Sequence, residues 1–130
     1  MPLLFIFLRL IKNKIMRKIF HLGNCNTCQR IIGELNNGEG FELQNIKTEK
    51  ITPEQLAFMA QKAGSYEALF SRRAMKYKSM GLKEKTLSET DYKDLILEEY
   101  TFLKRPVIII EEEVFVGNSK KVVAAAKAAL

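Results

Sequence analysis

The sequence has few of the residues that build metal centres and disulfide scaffolds. Its 130 residues include two cysteines, one histidine and three prolines. So few cysteines exclude a disulfide-dense secreted scaffold, and a single histidine leaves too few ligands for a metal cluster. Hydrophobic residues make up 47% of the chain and charged residues 28%, which excludes a disordered chain and a collagen-like repeat. The composition indicates one globular domain with a single core.

The sequence also lacks an apolar run long enough to cross a membrane. Its most apolar stretch, residues 3–8, is broken by Arg9, whereas a spanning helix needs about 20 apolar residues. The charges follow this run and no small-residue cleavage site is visible, which argues against a signal peptide. We therefore predict that residues 1–15 are a non-core extension, either a peripheral tail or the result of a start codon assigned before Met16. Residues 16–130 are predicted to form the domain, in the cytoplasm and without membrane contact.

Positive charge exceeds negative charge only modestly. Lys and Arg number 21 against 15 Asp and Glu, which gives a net charge of +6. Residues 1–15 hold three of these positive charges and no acid, so half of the surplus lies outside the predicted domain. A surplus of this size does not support direct nucleic-acid binding.

The first part of the predicted domain has the pattern of a strand, a helix and a second strand. Residues 18–22 are predicted to form a short strand that ends at a Gly-Asn turn. A helix begins near Asn26 or Thr27 and has apolar residues at helical spacing as far as Leu35. Residues 41–46 alternate in polarity, which is typical of a strand. This stretch predicts a βαβ unit.

Helical signals fill the middle of the chain, from about residue 52 to residue 100. Thr52 and Gln55 form a capping box with Pro53 at the first helical position. Ser88 is predicted to cap a later helix in the same region. We therefore predict an all-helical insert between two halves that contain strands.

The end of the chain returns to strands. Residues 107–110 and 114–116 are predicted to form a hairpin across a turn of glutamates, and Asn118 or Ser119 to cap a last helix. The order is βαβ, the insert, then ββα. Together with a cysteine pair at the first strand–helix junction, it predicts an α/β, thioredoxin-like core with a mixed four-stranded sheet.

The two cysteines form a Cys-x-x-Cys pair at the start of the first predicted helix. Free N–H groups and the positive end of the helix dipole stabilise a thiolate there. Cys25, in the turn, is expected to be exposed and nucleophilic, and Cys28, on the inward apolar stripe, suits a resolving role. The alternatives are two inert thiols, or half of a structural zinc site to which only His21 could add a ligand. The strand–loop–helix context favours redox thiols, and we predict no metal site.

Arg105 and Pro106 precede the first strand of the predicted hairpin. A proline there cannot donate to the sheet, and it is either a cis-proline or an ordinary proline at a strand start. Arg105 could stabilise the Cys25 thiolate or bind an oxyanion. The alternative for Arg105 is a solvated charge with no role in the chemistry.

Three stretches resemble the arsenate reductase (ArsC) family, which includes Spx-type transcriptional regulators and reductase-like members. They are FHLGNCNTC at residues 20–28, FLKRPVII at residues 102–109, and LFSRRAMKY at residues 69–77. The last is similar to the family's middle helix, which carries an arginine. The resemblance extends from about Arg17 to the C-terminus, and it implies a thioredoxin-like core with an all-helical insert.

The resemblance also implies roles for individual residues. Cys25 matches the nucleophilic cysteine that attacks arsenate, and His21 matches the histidine beside it, although His21 is equally interpreted as an imidazole without catalytic duty. Arg105 matches the arginine that precedes the family's cis-proline and helps to hold the oxyanion. Either Arg72 or Arg73 supplies the middle arginine, and the sequence leaves that choice open.

The chain departs from the glutaredoxin-coupled arsenate reductases in two ways. Gly117 and Asn118 stand where those enzymes have a third arginine, whose loss weakens an anion site unless another group replaces it. Cys28 is a second cysteine where they typically have one. Cys28 permits an internal disulfide, so a glutathione adduct is not required as the resolving step.

Two functions follow as hypotheses. The first is a cytoplasmic thiol oxidoreductase without a bound cofactor, which reduces arsenate or a related oxyanion and is recycled by thioredoxin or by glutathione with glutaredoxin. The second is an Spx-like regulator, in which a Cys25–Cys28 disulfide changes the surface presented to the RNA polymerase alpha subunit. In that case Gly64 lies at the contact, rather than serving as a plain helix C-cap. The middle motif at residues 71–73 favours the enzyme.

Overall fold

The structure is a computed structural model that describes residues 17–130 of the chain. The predicted extension at residues 1–15, together with Met16, lies outside the described residues. Within residues 17–130, no helix is both long enough and apolar enough to cross a membrane.

A mixed four-stranded sheet in the order β2-β1-β3-β4 lies at the centre of the fold. β1 pairs in parallel with β2 and antiparallel with β3, and β3 forms an antiparallel hairpin with β4. The parallel pair requires a crossover, which the first helix supplies. The predicted mixed sheet is confirmed. The strands are β1 (Arg17–His21), β2 (Glu42–Asn45), β3 (Val107–Ile110) and β4 (Glu113–Val116).

Five α-helices accompany the sheet in the described part of the chain. The first follows β1, the last follows β4, and the other three lie in the insert between β2 and β3. The insert is helical as predicted, apart from an isolated β-bridge between Phe70 and Leu103. The helices are α1 (Asn26–Glu34), α2 (Pro53–Ala63), α3 (Met75–Ser79), α4 (Glu89–Glu98) and α5 (Lys120–Ala128).

Side-chain caps begin the helices where the sequence predicts them. Thr52 Oγ1 accepts a hydrogen bond from the Gln55 N–H at 3.1 Å, and Gln55 Oε1 accepts one from the Thr52 N–H at 3.0 Å. Ser88 caps α4 with a second capping box, and Ser119 caps α5. Gly64 ends α2 with φ 103°, the left-handed conformation of a glycine C-cap.

The two faces of the sheet pack against two different sets of helices, because successive strand residues point to opposite faces. Phe20 and Val107 contribute to the core beneath the insert. Their neighbours Ile19 and Ile108 contribute to the core beneath α1 and α5. The sheet therefore separates the insert from the two helices that follow β1 and β4.

Strand β2 buries a polar residue that its alternating pattern did not reveal. Leu43 is 46% exposed, whereas Gln44 is only 2% exposed. Gln44 is accommodated because its amide exchanges hydrogen bonds with the Gln55 amide at 2.9 and 3.2 Å. It also donates to the Glu49 carbonyl at 3.1 Å. These bonds replace those that the amide would otherwise make with water.

Phe70 lies at the centre of an aromatic cluster in the insert. Its ring stacks on Phe102 at a centroid distance of 4.9 Å and meets the edge of Tyr92 at the same distance. The next residue, Ser71, donates its N–H to the Phe102 carbonyl at 2.7 Å. Phe70 therefore fixes the point at which the segment with the two candidate arginines leaves the core.

We predict that Phe70→Ala lowers the free energy of unfolding by about 3–5 kcal/mol, because it removes a fully buried ring and leaves a cavity. Met75, which is 89% exposed, provides the matched control. Met75→Ala is expected to change the same quantity by less than about 0.5 kcal/mol. Urea unfolding of both variants tests this, and similar losses in the two would contradict it.

Candidate active site

Cys25 is the N-cap residue of α1. Its backbone is extended, with φ −98° and ψ 112°, and its Sγ accepts a hydrogen bond from the Cys28 N–H at 3.5 Å. The first N–H groups of a helix have no partner within the helix, so a sulfur at this position meets donors. Both cysteines are free thiols, Cys25 half-buried and Cys28 fully buried. This is the difference in accessibility that the spacing predicts.

The pKa values of the two thiols move in opposite directions. Burial by itself raises the pKa of Cys25, but hydrogen bonds from the Cys28 and Thr27 backbone and from the Cys28 thiol lower it. The charge of Arg105 adds to this, so the pKa of Cys25 falls below its usual value. Burial is the main cause that raises the pKa of Cys28 to about 11. Of the two thiols, Cys25 is therefore the one that ionises more readily.

The peptide bond between Arg105 and Pro106 is cis. Pro106 is buried, and its carbonyl accepts a hydrogen bond from the Gly117 N–H at 2.9 Å. The start of β3 is thereby joined to the residue that follows β4. Of the two interpretations of Pro106, the cis-proline is confirmed.

The three guanidinium nitrogens of Arg105 differ in their contacts. Nη1 donates to the carbonyls of Thr101 and Leu103 at 3.2 and 3.3 Å. Nε is buried and has no hydrogen-bond partner within residues 17–130. A buried N–H without an acceptor is unfavourable. Nη2 also lacks a partner among the described residues but is not buried, so it is the donor that an anion can reach. The same charge lowers the pKa of Cys25, which connects Arg105 to the thiol electrostatically.

A cavity of about 440 Å³ is lined by several positively charged side chains, although neither cysteine is among its lining residues. Arg72, Arg73 and Arg105 all line it, so the structure brings the three predicted arginines together. Lys104 adds a fourth cation, which the sequence analysis missed because only its neighbour belonged to the Arg-Pro motif. Gly117 and Asn118, which stand where a third arginine is expected from the resemblance to glutaredoxin-coupled arsenate reductases, also line the cavity.

The two candidate middle arginines differ in their contacts. Arg72 Nη2 donates to Glu67 Oε2 at 2.8 Å and to the Tyr92 hydroxyl at 3.0 Å. The hydrogen bond to Glu67 is the main cause that raises the pKa of Arg72. The exposed Arg73 side chain has no ion pair or hydrogen bond within the described residues. Both face the cavity, and Arg73 is the one whose guanidinium is unengaged.

The sequence matches the ArsC family over residues 20–126. The chain belongs to the ArsC family. The matched range includes both cysteines, the three arginines and the cis-proline. Membership in this family, together with the neighbouring structures below, supports assignment to a family of thioredoxin-like thiol oxidoreductases.

Solved structures with the same fold include several ArsC-type proteins. An arsenate reductase from Vibrio cholerae is 17% identical, with a TM-score of 0.71 over 88% of this chain and 99% of its own. A proposed ArsC family related protein from Bacteroides fragilis is 21% identical, with a TM-score of 0.75 over 90% and 99%. An arsenate reductase (ArsC) related protein from Brucella melitensis is 19% identical, with a TM-score of 0.64 over 85% and 92%. At these identities the likeness establishes the fold. A comparison with curated proteins gave no match.

His21 lies at the end of β1 in this ArsC-family chain, four residues before Cys25. It is buried, and its Nδ1 has no hydrogen-bond partner in the described part of the chain. Burial lowers the pKa of His21, and the Leu22 backbone opposes that shift only in part. The imidazole is therefore neutral near pH 7 and adds no positive charge to the site.

No group of three or more His, Cys, Asp or Glu side chains that could hold a metal ion occurs among residues 17–130.

Asn45, at the end of β2, holds the turn that leads into Cys25. Its Oδ1 accepts hydrogen bonds from the N–H groups of Gly23 and Lys47 at 3.3 and 3.2 Å. From the opposite side, Gln29 Nε2 donates to the Gly23 carbonyl at 3.4 Å. A Cβ on Gly23 would lie 2.5 Å from Asn45 Nδ2, so an added methyl group displaces the Asn45 side chain. The sequence analysis missed this contact, since only strand pairing brings the two residues together.

We predict that Arg105→Gln raises the pKa of Cys25, because it removes a positive charge that favours the thiolate. In the wild type, the rate of Cys25 alkylation by iodoacetamide should rise with pH through the lowered pKa. In the variant this rise should occur at higher pH. The measurement is the pH profile of modification, resolved for each cysteine by mass spectrometry.

The control for this experiment is Arg30→Gln, which removes an equal charge from an exposed site on α1. It should leave the Cys25 profile unchanged. A profile in Arg105→Gln that coincides with that of the wild type would contradict the assigned role of Arg105.

We predict that Gly23→Ala and Asn45→Ala act through the same contact. Each should lower the free energy of unfolding by about 1 kcal/mol, because each removes the hydrogen bond between the two residues. The double variant should be no less stable than the less stable of the two single variants, since the bond between Gly23 and Asn45 can be lost only once. Urea unfolding measures this cycle, and Asn24→Ala, in the same exposed turn, is the control. Additive losses would refute the shared contact.

Proposed function

We propose that this protein is a thiol-dependent reductase of arsenate or a related tetrahedral oxyanion, with Cys25 as the nucleophile and Cys28 as the resolving thiol. The observation that carries the proposal is the pairing of Cys25, whose pKa is lowered, with Arg105, which lines the cavity and whose Nη2 has no hydrogen-bond partner in the described chain. An oxyanion in the cavity can accept a charge-assisted hydrogen bond from that Nη2. It would also bring an electrophilic centre towards the thiolate.

In the first step the Cys25 thiolate attacks arsenic. An S–As bond forms, the As–O bond to one hydroxyl group breaks, and that group leaves as water after it takes a proton from the solvent. The oxyanion brings negative charge into the site, and its charge redistributes as the bonds change. Arg105, Arg73 and Lys104 are the cations that offset this charge.

In the second step the Cys28 sulfur attacks Cys25 Sγ. The S–S bond forms and the S–As bond breaks with its electron pair on arsenic, so arsenate is reduced to arsenite while two thiols are oxidised to a disulfide. Cys28 must first lose its proton. In the free protein the hydrogen bond and the charge of Cys25, besides burial, raise the pKa of Cys28. When Cys25 forms its bond to arsenic, the Cys25 thiolate is lost, and with it the hydrogen bond and the charge that raise the pKa of Cys28. Cys28 then loses its proton more readily, at the step in which its thiolate is needed.

An external thiol system then returns the protein to its starting state. We propose thioredoxin, or glutathione with glutaredoxin, as the recycling partner, since either supplies two electrons to a disulfide. No bound cofactor takes part. A cytoplasmic location belongs to the same proposal, because thiols are kept reduced there.

Lys104 supports oxyanion binding in place of the third arginine that the glutaredoxin-coupled arsenate reductases are expected to have at Gly117 and Asn118. It lines the same cavity as the arginines and is exposed at its rim. An ammonium acts as a point charge without the planar fork of a guanidinium. It therefore restores charge, but it does not restore bidentate binding.

The proposal is tested by arsenate reduction with the full chain, coupled first to thioredoxin and then to glutaredoxin with glutathione. Cys25→Ser should abolish turnover with both systems. Cys28→Ser should abolish turnover with thioredoxin, because the internal disulfide cannot form. Arg105→Gln should lower kcat/KM by about 10²–10³-fold, the range seen when one donor to a developing oxyanion is removed.

Arg30→Gln, at an exposed residue that does not line the cavity, is the control for loss of charge and should keep wild-type turnover. Absence of turnover with both recycling systems, together with a reversible Cys25–Cys28 disulfide, would contradict the reductase. That pair of results would favour the redox-switched regulator instead.

A further inference from the structure

Arg72 lines the cavity, but its guanidinium is bonded to residues that do not. Nη2 has two N–H groups and two acceptors, Glu67 Oε2 at 2.8 Å and the Tyr92 hydroxyl at 3.0 Å. The Tyr92 hydroxyl in turn donates to Glu67 Oε2 at 3.4 Å. The three groups form a closed ring of hydrogen bonds, and both N–H groups of Nη2 are consumed in it.

A guanidinium binds two oxygens of an anion through adjacent donors. The adjacent pairs are Nη1 with Nη2, and Nε with Nη2, so Nη2 belongs to both. With Nη2 engaged, Arg72 offers an anion only single contacts from Nη1 or Nε. Arg105 is the reverse case, because its Nη1 is anchored on two carbonyls and its Nη2 has no hydrogen-bond partner among the described residues. Of these two arginines of the cavity, Arg105 therefore keeps a free Nη2 and Arg72 does not.

The groups that hold Arg72 are themselves in fixed positions. The Glu67 N–H donates to Glu89 Oε2 at 3.1 Å, and the Tyr66 N–H donates to Glu89 Oε1 at 2.7 Å. Tyr92 is buried, with its ring 4.9 Å from that of Phe70. Other contacts in the insert therefore hold Glu67 and Tyr92 where they accept hydrogen bonds from Arg72.

The contact between Arg72 and Glu67 is nevertheless weak enough to exchange. The two side chains are 48% and 54% exposed. Ion pairs that are this accessible to water contribute little free energy to the folded state. A tetrahedral dianion, held at the same time by Arg73, Lys104 and Arg105, can therefore take Arg72 from Glu67.

We propose that Glu67 is a specificity-determining residue, an internal carboxylate that competes with the oxyanion for Arg72. The inference rests on the proposed function, because it concerns the affinity of the same cavity. In the free protein Glu67 occupies Arg72. An incoming anion must displace it to gain bidentate binding, so Glu67 lowers affinity and penalises weakly charged anions most.

Sulfate, a tetrahedral dianion that thiols do not reduce, is the probe. Its dissociation constant is measured from the backbone amide shifts of residues 117–119 in the full-length wild type, Glu67→Gln, Arg72→Gln and the double variant. Glu67→Gln should tighten sulfate binding about two- to five-fold, the factor that corresponds to an exposed ion pair. Arg72→Gln alone should change sulfate affinity by a smaller factor than Glu67→Gln does, because Arg72 is already bonded to Glu67. In the double variant the gain should disappear.

Glu84→Gln is the matched control, since it removes the same charge from an exposed residue of the insert that does not line the cavity. It should leave sulfate affinity unchanged. Equal or weaker binding by Glu67→Gln would overturn the inference and make Glu67 a residue that positions Arg72. An equal gain in the Arg72→Gln background, or no sulfate shift in any protein, would overturn it as well.

Arsenate turnover of the same wild-type samples separates the two proposals. If the wild type reduces arsenate but Glu67→Gln binds sulfate with unchanged affinity, only the proposed competition between Glu67 and the oxyanion is refuted. If Glu67→Gln gains sulfate affinity through Arg72 but the wild type does not reduce arsenate, only the proposed reductase activity is refuted.

Discussion

The pairing of β1 with its two neighbours is the constraint on which the candidate site depends. Because β1 runs parallel to β2 and antiparallel to β3, the end of β1 lies beside the end of β2 and the start of β3. The antiparallel hairpin brings the end of β4 to the same edge. Cys25, Asn45, Pro106 and Gly117 come from distant parts of the sequence, and this register collects them at one edge of the sheet.

At that edge, the chemical role of each side chain depends on whether its polar groups already have hydrogen-bond partners. Cys25 Sγ meets the first N–H groups of α1, so its thiolate is favoured despite partial burial. Cys28, one helical turn further on, is buried and keeps its proton. The arginines follow the same logic, because the carbonyls that anchor Arg105 bind only its Nη1, whereas Glu67 and Tyr92 fill the Nη2 donors of Arg72 that an anion needs.

Local signals in the sequence predicted most of the fold, and they predicted the cysteine pair and the Arg-Pro motif of the candidate site. The capping box of α2, the Ser88 cap and the strand hairpin are decided by residues within a few positions of one another, so a sequence pattern reveals them. The Cys-x-x-Cys pair and the Arg-Pro motif are equally local. Gln44, Asn45 and Glu67 were missed, because each acts through a partner that the chain brings close only after folding.

The sequence by itself determined the α/β order, the positions of the caps and the asymmetry between Cys25 and Cys28, since helix and strand periodicity are properties of neighbouring residues. Tertiary structure alone decided which arginine is free. Arg72 and Arg73 are adjacent and chemically identical, so no pattern separates them. Their difference arises because the fold places Glu67 and Tyr92 against one guanidinium and leaves the other without a hydrogen bond among the described residues.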